Sequence, residues 1–203
     1  MLTELNTVNF SPSCERNKQV ILEQLSPLLA EHSNILEIGS LSGQHAGHFA
    51  PALSHLTWQC SDIALHIAGL SHNLKQLDLA NLPAPLSVDL AQSNSWPEQH
   101  YDAMYSANTL HIVAWSLVEK LFQLADASLR KQQSSLLIYG PFKYGGEYTS
   151  ASNADFQLWL KDRDPLSGIR DFEAVNELAQ RYGFTLEQDI TMPANNQLLV
   201  WRR

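Results

Sequence analysis

The stretch Asn34-Ile35-Leu36-Glu37-Ile38-Gly39-Ser40-Leu41-Ser42-Gly43-Gln44-His45 decides how this chain folds. A short apolar run contains one acid, and Gly39 and Gly43 then open a segment of helical character. Glycines at a turn from strand to helix let backbone N–H groups approach a ligand closely, and the helix N-terminus favours negative charge. The stretch therefore predicts a buried strand, a glycine turn and a helix, with a ligand site at the turn.

The spacing of the two glycines separates this turn from two phosphate-binding motifs. The dinucleotide motif G-x-G-x-x-G would place glycine at Leu41 and Gln44. A P-loop would end in Gly-Lys-Ser/Thr, and no lysine lies near the turn. Glu37, an acid inside the turn, can instead accept hydrogen bonds from a ligand's amine. The pattern indicates a nucleotide-like cofactor with an amino group, and S-adenosyl-L-methionine fits; the alternative is an ordinary turn whose glycines serve geometry alone.

Composition limits the class of protein and the kind of partner. The 203 residues are 44% hydrophobic and 17% charged, which is typical of one globular domain spanning residues 1–203. The formal charge of −8 argues against nucleic acid and anionic membranes as partners and favours a small molecule. Cys14 and Cys60 form no C-x-x-C motif and are expected to be free thiols. Without a signal peptide or a long apolar run, we expect a cytoplasmic protein.

Strand and helix patterns alternate five times along the chain and end in a hairpin. This order predicts an α/β fold with a mostly parallel open sheet, an antiparallel last strand and helices on both faces. The predicted strands are residues 35–38, 56–62, 86–89, 101–106, 134–139, 184–190 and 197–202. The predicted helices are residues 15–29, 44–53, 63–72, 115–129 and 171–182. A polar insertion at 143–169, helical around 154–161, is predicted to be a lid or acceptor pocket.

Three acids close the first three predicted strands. In an open α/β sheet, ligands bind beyond the carboxyl ends of the strands. Asp62 lies about 20 residues after the glycine turn, the distance from which an acid reaches both ribose hydroxyls. Asp89 is predicted to meet the adenine amino group, and Glu37 the amino group of the cofactor. The alternative for each acid is a solvated turn residue or a helix cap.

Several further motifs together resemble a known family. They are Phe10-Ser11-Pro12, Glu15-Arg16-Asn17-Lys18, Leu36-Glu37-Ile38-Gly39-Ser40, Gln44-His45-Ala46, Trp58-Gln59, Ser61-Asp62, Asn108, His111-Ile112, Trp115, Tyr139-Gly140-Pro141-Phe142, Thr149-Ser150, Ser152-Asn153-Ala154, Phe156, Gly168-Ile169-Arg170-Asp171 and Met192-Pro193-Ala194-Asn195-Asn196. The chain is identified by them as a member of a small methyltransferase-like family of unknown function within the class I S-adenosylmethionine-dependent superfamily, found in bacteria and animals. The resemblance implies a seven-stranded Rossmann-like sheet and no particular substrate.

Leu41 departs from the pattern of this family, which usually has glycine at this position. If the backbone there has positive φ, leucine costs about 1–2 kcal/mol. The predicted cofactor-binding residues are Arg16, Asn17, Glu37, Gly39, Ser40, Gly43, Asp62, Ile63, Asp89 and Asn108. Arg16 is expected to pair with the cofactor's carboxylate, and the alternative is a salt bridge at the surface.

The chemistry of methyl transfer is predicted at the end of the fourth strand. Asn108 is expected to orient the substrate or line the cofactor pocket, and His111 is the candidate base because an unperturbed imidazole titrates near neutrality. The alternative for His111 is packing or capping at the next helix. The predicted substrate-binding residues are Tyr139, Phe142, Asn153, Phe156, Arg170, Asn195 and Asn196. Arg170 would suit a carboxylate or phosphate, unless it forms a network with Asp171 that only ties the insertion down.

The sequence predicts no metal site, because His45 and His48 lie one helical turn apart without a third ligand at a recognised spacing. The function that these patterns favour is a methyltransferase that uses S-adenosyl-L-methionine and a small-molecule methyl acceptor. Two alternatives remain, namely a non-catalytic binding or scaffold protein with the same fold and an enzyme that uses another cofactor.

Overall fold

The computed structural model describes residues 1–203, which form two compact units, Met1–Tyr105 and Ser106–Arg203. The helices are α1 Pro12–Leu28, α2 Gln44–Ala52, α3 Ala64–Lys75, α4 Trp115–Ser128, α5 Ala151–Arg163 and α6 Phe172–Arg181. The strands are β1 Asn34–Ile38, β2 Thr57–Asp62, β3 Leu86–Ser87, β4 Ala103–Ala107, β5 Ser135–Gly140, β6 Phe142–Tyr144, β7 Glu147–Tyr148, β8 Arg170–Asp171, β9 Thr185–Met192 and β10 Asn196–Arg202. None of the helices combines the length and apolar character that crossing a membrane requires.

Seven strands form one sheet in the order β3-β2-β1-β4-β5-β10-β9. β1 pairs in parallel with β2, and β2 in parallel with β3. β10 is antiparallel to both β5 and β9, so the last strand returns into the sheet. This arrangement confirms the predicted α/β class with a mostly parallel seven-stranded sheet.

In the first unit, local sequence signals place the helices where they begin and end. α1 begins at Pro12, which is tolerated there because the first helical N–H needs no partner, and Ser11 Oγ accepts a hydrogen bond from Cys14 N. β1 is buried because its apolar side chains face helices on both sides of the sheet, and Ile35 and Trp58 have no exposed surface. The glycine turn is thus mounted on a rigid strand.

In the second unit, the amphipathic helix α4 buries Val118, Leu121 and Phe122 completely. Gly183 ends α6 with a φ of +77°, the left-handed conformation that glycine adopts most easily after a helix. Trp201 in β10 is fully buried, and its Nε1 donates to Asn176 Oδ1 on α6 at 2.9 Å. These contacts fix the strand that carries Gln197.

Two parts of the chain differ from the sequence prediction. β3 ends at Ser87 rather than at residue 89, because Asp89 Oδ1 accepts a hydrogen bond from Ala91 N and bends the chain into a turn. The predicted insertion contains a thirteen-residue helix, α5, and together with the residues at its two ends it forms a small sheet in the order β7-β6-β8. Strands of two or three residues are too short to produce a periodic pattern, so the sequence could not reveal this sheet.

Candidate functional site

The glycine turn after β1 contains three residues in the left-handed region. Gly39, Leu41 and Gly43 have φ values of +77°, +47° and +74°. Leu41 therefore does adopt the conformation that normally requires glycine, at a cost of about 1–2 kcal/mol. A Cβ atom on Gly43 would lie 2.8 Å from Leu74 Cδ2, so this position needs glycine for space as well as for φ. Left-handed residues at every second position, 39, 41 and 43, give the turn a defined shape, which contacts with the surrounding structure must maintain.

Asp62, at the end of β2, maintains that shape. Its Oδ2 accepts a hydrogen bond from Leu41 N at 2.7 Å, and its Oδ1 accepts from Ile63 N and from His66 Nδ1, both at 2.8 Å. A carboxylate has about four lone-pair positions, and three are occupied by protein donors. Asp62 thus anchors the strained turn and retains one position for a ligand, and its predicted contact with the ribose hydroxyls stays a prediction.

Glu37, at the end of β1, is almost completely buried. Its Oε2 accepts hydrogen bonds from Ser40 Oγ at 2.9 Å and Trp58 Nε1 at 3.0 Å, and it lies 3.6 Å from Cys60 Sγ. Burial raises the pKa of the Glu37 carboxyl, and the hydrogen bonds from Trp58, Ser40 and Cys60 oppose that rise. No protein donor reaches Oε1, so one oxygen remains for a ligand's amine.

A hydrogen-bonded chain beside the turn joins α1, α2 and β4. His45 Nε2 lies 2.8 Å from Asn17 Oδ1, and His45 Nδ1 lies 3.5 Å from the Tyr105 hydroxyl. The His45 ring stacks on Phe49 with 5.2 Å between ring centroids. Burial lowers the pKa of His45 to about 3, so the ring is neutral at physiological pH. Because Asn17 Oδ1 can only accept, Nε2 carries the proton, and the amide Nδ2 of Asn17 faces away with no protein acceptor.

The segment before α1 is bonded to the turn through two buried amides. Asn73 accepts from Val8 N at 2.9 Å, and its Nδ2 donates to Val8 O at 2.8 Å and to Ser42 O at 2.9 Å. Gln44 Oε1 accepts from Ser11 N at 2.6 Å and from Ser42 Oγ at 2.9 Å. No sequence pattern singles out Asn73, because a lone polar residue in a helix is usually a surface residue.

The remaining residues of the predicted cofactor set make local contacts. Arg16 is exposed, and its Nη2 donates to Ser13 Oγ at 3.3 Å. The Asp89 carboxylate accepts from Ala91 N at 2.9 Å and from Gln92 Nε2 at 2.7 Å, as expected for an acid within a turn. Arg16 and Asp89 both keep free hydrogen-bonding positions, so their predicted contacts with the cofactor stay predictions.

In the second unit, His111 follows β4 and has 5% of its surface exposed. Its ring makes an edge-to-face contact with Phe156, with 5.4 Å between centroids, and no protein group forms a hydrogen bond to either ring nitrogen. Burial, and secondly the charge of Arg170, lower the pKa of His111 to about 4. The expectation of a pKa near neutrality is therefore wrong. His111 is a neutral hydrogen-bond acceptor over the whole physiological range.

Asn108 lies at the turn that leaves β4. It has a φ of +55°, and its backbone N–H donates to Tyr139 O at 2.8 Å. Asparagine is one of the few residues that tolerate the left-handed region, so the residue type fits the turn geometry. Tyr139 and Phe142 are both buried, with 3% and 1% exposed. Both side chains therefore expose little surface to a ligand, and their predicted role in substrate binding stays a prediction.

Arg170 ties loops of the second unit together through backbone carbonyls. Its Nε donates to Leu110 O at 2.9 Å, and its Nη2 donates to Val113 O and, at 3.1 Å, to Leu166 O. Asp171 pairs instead with Lys143 Nζ at 3.1 Å, so the two neighbours do not form one network. Most of the guanidinium is thus engaged in holding the segment that carries His111.

The remaining predicted acceptor residues fix α5 and the turn before β10. Asn153 Nδ2 donates to Thr149 Oγ1 at 2.8 Å and to Asn195 O at 3.0 Å. Asn195 Nδ2 lies 3.4 Å from Ser152 Oγ, and Asn196 Nδ2 donates to two carbonyls of its own turn. The structure therefore brings His111, Phe156, Asn153 and Asn195 together within the second unit.

Gln197, the second residue of β10, was missed by the sequence analysis. Only 8% of its surface is exposed, and its Oε1 is a buried acceptor without any hydrogen-bond partner. It opens the apolar run Leu198-Leu199-Val200-Trp201, and a polar residue next to such a run is the one signal that could have drawn attention to it.

Two cavities lie apart from the predicted cofactor contacts. One, of about 560 Å³ in the first unit, is lined mainly by apolar residues such as Leu2, Leu22 and Pro51. The other, of about 330 Å³ in the second unit, is lined by Trp115, Lys143 and Arg170 among others. Neither cavity contains Glu37 or Asp62, so the hydrogen-bonding groups of the turn, and not these cavities, mark the candidate cofactor site.

Several solved structures with the same fold are named as methyltransferases. An O-methyltransferase family protein from Burkholderia thailandensis matches with a TM-score of 0.82 at 15% identity, over 94% of this chain and 57% of that one. A putative O-methyltransferase from Nostoc punctiforme matches with a TM-score of 0.80 at 18% identity, over 95% and 57%. Human N-acetylserotonin methyltransferase in complex with S-adenosylmethionine matches with a TM-score of 0.76 at 14% identity, over 94% and 52%.

The chain spans a little over half the length of these three proteins. At such low identity the likeness shows the class I methyltransferase fold and no more. A family model described as "Protein of unknown function (DUF938)" matches residues 8–203, which is almost the entire chain. The protein therefore belongs to the DUF938 family and has the fold of class I S-adenosylmethionine-dependent methyltransferases.

Proposed function

We propose that this protein is a methyltransferase that uses S-adenosyl-L-methionine and methylates a small molecule. The observation that carries the proposal is the glycine turn, with its left-handed residues held by Asp62 and a buried acid beneath it. The fold of the neighbours and the family membership support the same assignment.

The unused hydrogen-bonding positions of the first unit fit the cofactor's chemistry. Glu37 Oε1 and one lone pair of Asp62 are acceptors, which suit an amine and a hydroxyl group, while Asn17 Nδ2 is a donor, which suits a carboxylate. S-adenosyl-L-methionine, when bound, supplies a methyl group on a positively charged sulfur. The acids near the turn favour binding of a cation through their charge.

His111 is the residue that we assign to proton transfer. The neutral ring with a pKa of about 4 cannot hold a proton in the free protein at neutral pH, so it is always ready to accept a hydrogen bond from an acceptor hydroxyl. Attack of the acceptor oxygen on a methyl group would place positive charge on that oxygen and make its hydroxyl proton acidic, and the imidazole would then take that proton. Arg170 keeps the segment around His111 in place and opposes protonation of the ring.

A non-catalytic binding protein is the second candidate, and the occupancy of Asp62 favours it. Three protein donors already satisfy most of this carboxylate, and Leu41 fills a position where glycine would leave more room. Such a protein would bind the cofactor or a related nucleoside without transferring the methyl group.

The deciding experiment is thermal unfolding with and without excess S-adenosylhomocysteine, with NAD as the control ligand. At about 100 times its dissociation constant, a ligand adds roughly 2.7 kcal/mol, which is several degrees for a domain of this size. We expect a shift with S-adenosylhomocysteine alone, and a smaller shift for Asn17→Ala. Gln19→Ala, an exposed change on the same helix, should leave the shift intact.

No shift in a folded protein would contradict cofactor binding, and a shift with NAD alone would indicate another cofactor. Release of S-adenosylhomocysteine from S-adenosyl-L-methionine in the presence of an acceptor separates the enzyme from the binding protein. His111→Gln should abolish that release and preserve the thermal shift.

A further inference from the structure

The smaller cavity, of about 330 Å³ in the second unit, is lined by more positive than negative side chains. Lys143 on β6, Lys161 on α5 and Arg170 on β8 are cations, and Asp171 is the one acid in the lining. The whole chain has a formal charge of −8, so the local excess of positive charge is opposite in sign to the charge of the protein. A concave surface lined by charges of one sign attracts a ligand of the other sign, and this cavity therefore favours an anion.

Each of the three cations keeps N–H groups that the protein does not use. Arg170 Nε and Nη2 donate to backbone carbonyls, and Nη1 has no acceptor in the protein. Lys161 Nζ donates to Pro165 O at 2.7 Å, which uses one of its three N–H groups. Lys143 Nζ lies 3.1 Å from Asp171 Oδ2, its one anionic partner. Several charged donors of the lining are therefore left for a ligand.

Gln157 on α5 adds an uncharged donor to the same lining. Its Oε1 accepts a hydrogen bond from Ile169 N at 2.7 Å, which fixes the amide and leaves Nε2 without a protein acceptor. Gly168 makes room for this amide, because a Cβ atom there would lie 3.0 Å from Gln157 Nε2 and 3.4 Å from Lys161 Cε. Any larger residue at position 168 would displace these two side chains, so the glycine keeps both donors at the cavity.

Two helices begin at the cavity without a side-chain cap. Trp115 is the first residue of α4, and Asp171 and Ala174 belong to the N-cap and first turn of α6. Neither N-cap residue, Ala114 or Asp171, accepts a hydrogen bond from its own helix through its side chain. A helix N-terminus carries partial positive charge, so both helix ends add to the potential that the three cations create.

The contacts of Arg170 decide which kind of anion fits. Arginine binds a planar carboxylate through two parallel N–H bonds from neighbouring nitrogens. Each such pair of nitrogens includes Nη2, which already donates to Val113 O and Leu166 O. Arg170 can therefore offer Nη1 alone, and the other bonds must come from lysines, which bind phosphate as point charges. A tetrahedral phosphate group, whose oxygens point in different directions, matches donors on β6, α5 and β8.

We propose that this cavity binds a small phosphate monoester and that Lys143, Lys161 and Arg170 hold its phosphate group. Ligand cavities measure about 300–1,000 Å³ and a water molecule takes about 30 Å³ in the liquid, so an organic group fits beside the phosphate. Trp115 provides an apolar surface for that group. The inference goes beyond methyl transfer, because this site requires neither the cofactor nor a methyl acceptor.

The test measures binding of phenyl phosphate, inorganic phosphate and benzoate to the full chain by calorimetry, at pH 7.5 and constant ionic strength. We expect phenyl phosphate to bind about tenfold more tightly than benzoate, which has the same ring and a planar group of lower charge. Inorganic phosphate should bind about threefold more weakly than phenyl phosphate, because it lacks the contact with Trp115.

Two substitutions on α5 test whether the cations of the lining act locally. Lys161→Gln should weaken phenyl phosphate binding about tenfold, because it removes a hydrogen bond between charged groups. Arg163→Gln removes the same charge two residues later on α5, outside the lining, and should leave the affinity unchanged. Equal losses in the two variants would overturn the proposal, since they would show attraction by the overall charge of the helix.

Asp171→Asn provides a second measurement with the opposite sign. The change removes the negative charge beside Lys143 and keeps a residue type that suits the start of a helix, so the fold should persist. Phenyl phosphate should then bind about threefold more tightly, because Lys143 no longer has a competing anion. If Lys161→Gln unfolds through loss of its bond to Pro165 O, the Asp171→Asn result decides alone.

Three further outcomes would contradict the proposal. They are absence of phenyl phosphate binding, equal affinity for phenyl phosphate and benzoate, and an Asp171→Asn variant that binds no more tightly than the wild type. Equal affinity for phenyl phosphate and inorganic phosphate would overturn the assignment to a monoester, since the cavity would then recognise a free phosphate ion.

Discussion

The glycine turn of the first unit and the His111 region of the second unit differ in whether their polar groups have hydrogen-bond partners within the protein. At the turn, Asp62 accepts three hydrogen bonds from the protein and Glu37 Oε2 is surrounded by donors. At His111, neither the ring nor the neighbouring Gln197 Oε1 has a protein partner. The first region is organised before any ligand arrives, whereas the second leaves its polar groups unsatisfied.

This difference indicates what each region contributes to stability. Hydrogen bonds at the turn offset the strain of Leu41, so their loss destabilises the fold. The buried acceptor Gln197 Oε1 has no partner and lowers stability, so its removal is neutral or favourable. Loss of a hydrogen-bonding group should therefore change stability in opposite directions in the two regions, and the following three predictions test or refine that contrast.

Among the single substitutions, the largest effect is expected for Asp62→Ala. The change leaves the N–H groups of Leu41 and Ile63 without their acceptor, and we expect a loss of about 3 kcal/mol in the free energy of unfolding. S-adenosylhomocysteine affinity should fall at least tenfold. Denaturant unfolding and calorimetry measure the two effects.

Asp89→Ala serves as the control for stability alone, because that carboxylate closes a local turn within the protein. The double variant Asp62→Ala, Leu41→Gly sharpens the result. If Asp62 acts by holding a left-handed residue, glycine at position 41 should add more stability to the Asp62→Ala variant than it adds to the wild type, and exact additivity of the two changes would contradict this role.

The second prediction concerns pH and uses one histidine from each region. His45 and His111 have folded pKa values of about 3 and about 4, while an unfolded histidine titrates near 6.5. Between pH 6.5 and about 4, the unfolded chain therefore binds protons that the folded chain does not. Stability should fall with decreasing pH by about 1.4 kcal/mol per pH unit for each of the two histidines, and be fully retained above pH 6.5.

Unfolding by urea at pH 4.5, 5.5, 6.5 and 7.5 measures this slope. His45→Gln and His111→Gln should each reduce this slope by about 1.4 kcal/mol per pH unit, the contribution of one histidine. If neither variant changes the slope of stability against pH, groups other than these two histidines cause the loss of stability at low pH. Only His45→Gln should also lower S-adenosylhomocysteine affinity, because it releases the Asn17 amide.

The smallest effect is expected for Leu41→Gly. Relief of a left-handed conformation gains about 1–2 kcal/mol, and the added freedom of glycine in the unfolded chain returns roughly half of that. We expect a net increase of about 0.5 kcal/mol in the free energy of unfolding, measured by denaturant titration. A decrease of more than 1 kcal/mol would mean that contacts of the leucine side chain outweigh the strain.

The fold was predictable because it depends on patterns that a linear sequence displays. Buried strands such as 35–38, the amphipathic helix from Trp115 and the order of strands and helices all follow from hydrophobic periodicity. The small sheet β7-β6-β8 was not predictable, since strands of two or three residues have no period to detect. The early end of β3 depends on a side chain, Asp89, that prefers its own turn.

Site residues were predictable only where the residue type and its spacing indicate a particular structural role. The glycine turn and Asp62 could be located from spacing, but the bond from Leu41 N to Asp62 could not, because it joins residues 21 positions apart. The pKa of His111 depends on burial under α5, which no local pattern indicates. Gln197 lies opposite Gly140 because of the register between β10 and β5, which the sequence alone does not reveal.

Asn73 has a consequence for how this protein opens. One buried amide group serves Val8 on the N-terminal segment and Ser42 in the glycine turn at the same time. If the segment detaches, the amide loses its partners on one side and the turn loses part of its support. The N-terminal segment and the turn therefore form a single cooperative opening unit, so a ligand that tightens the turn also slows hydrogen exchange at residues that never touch it.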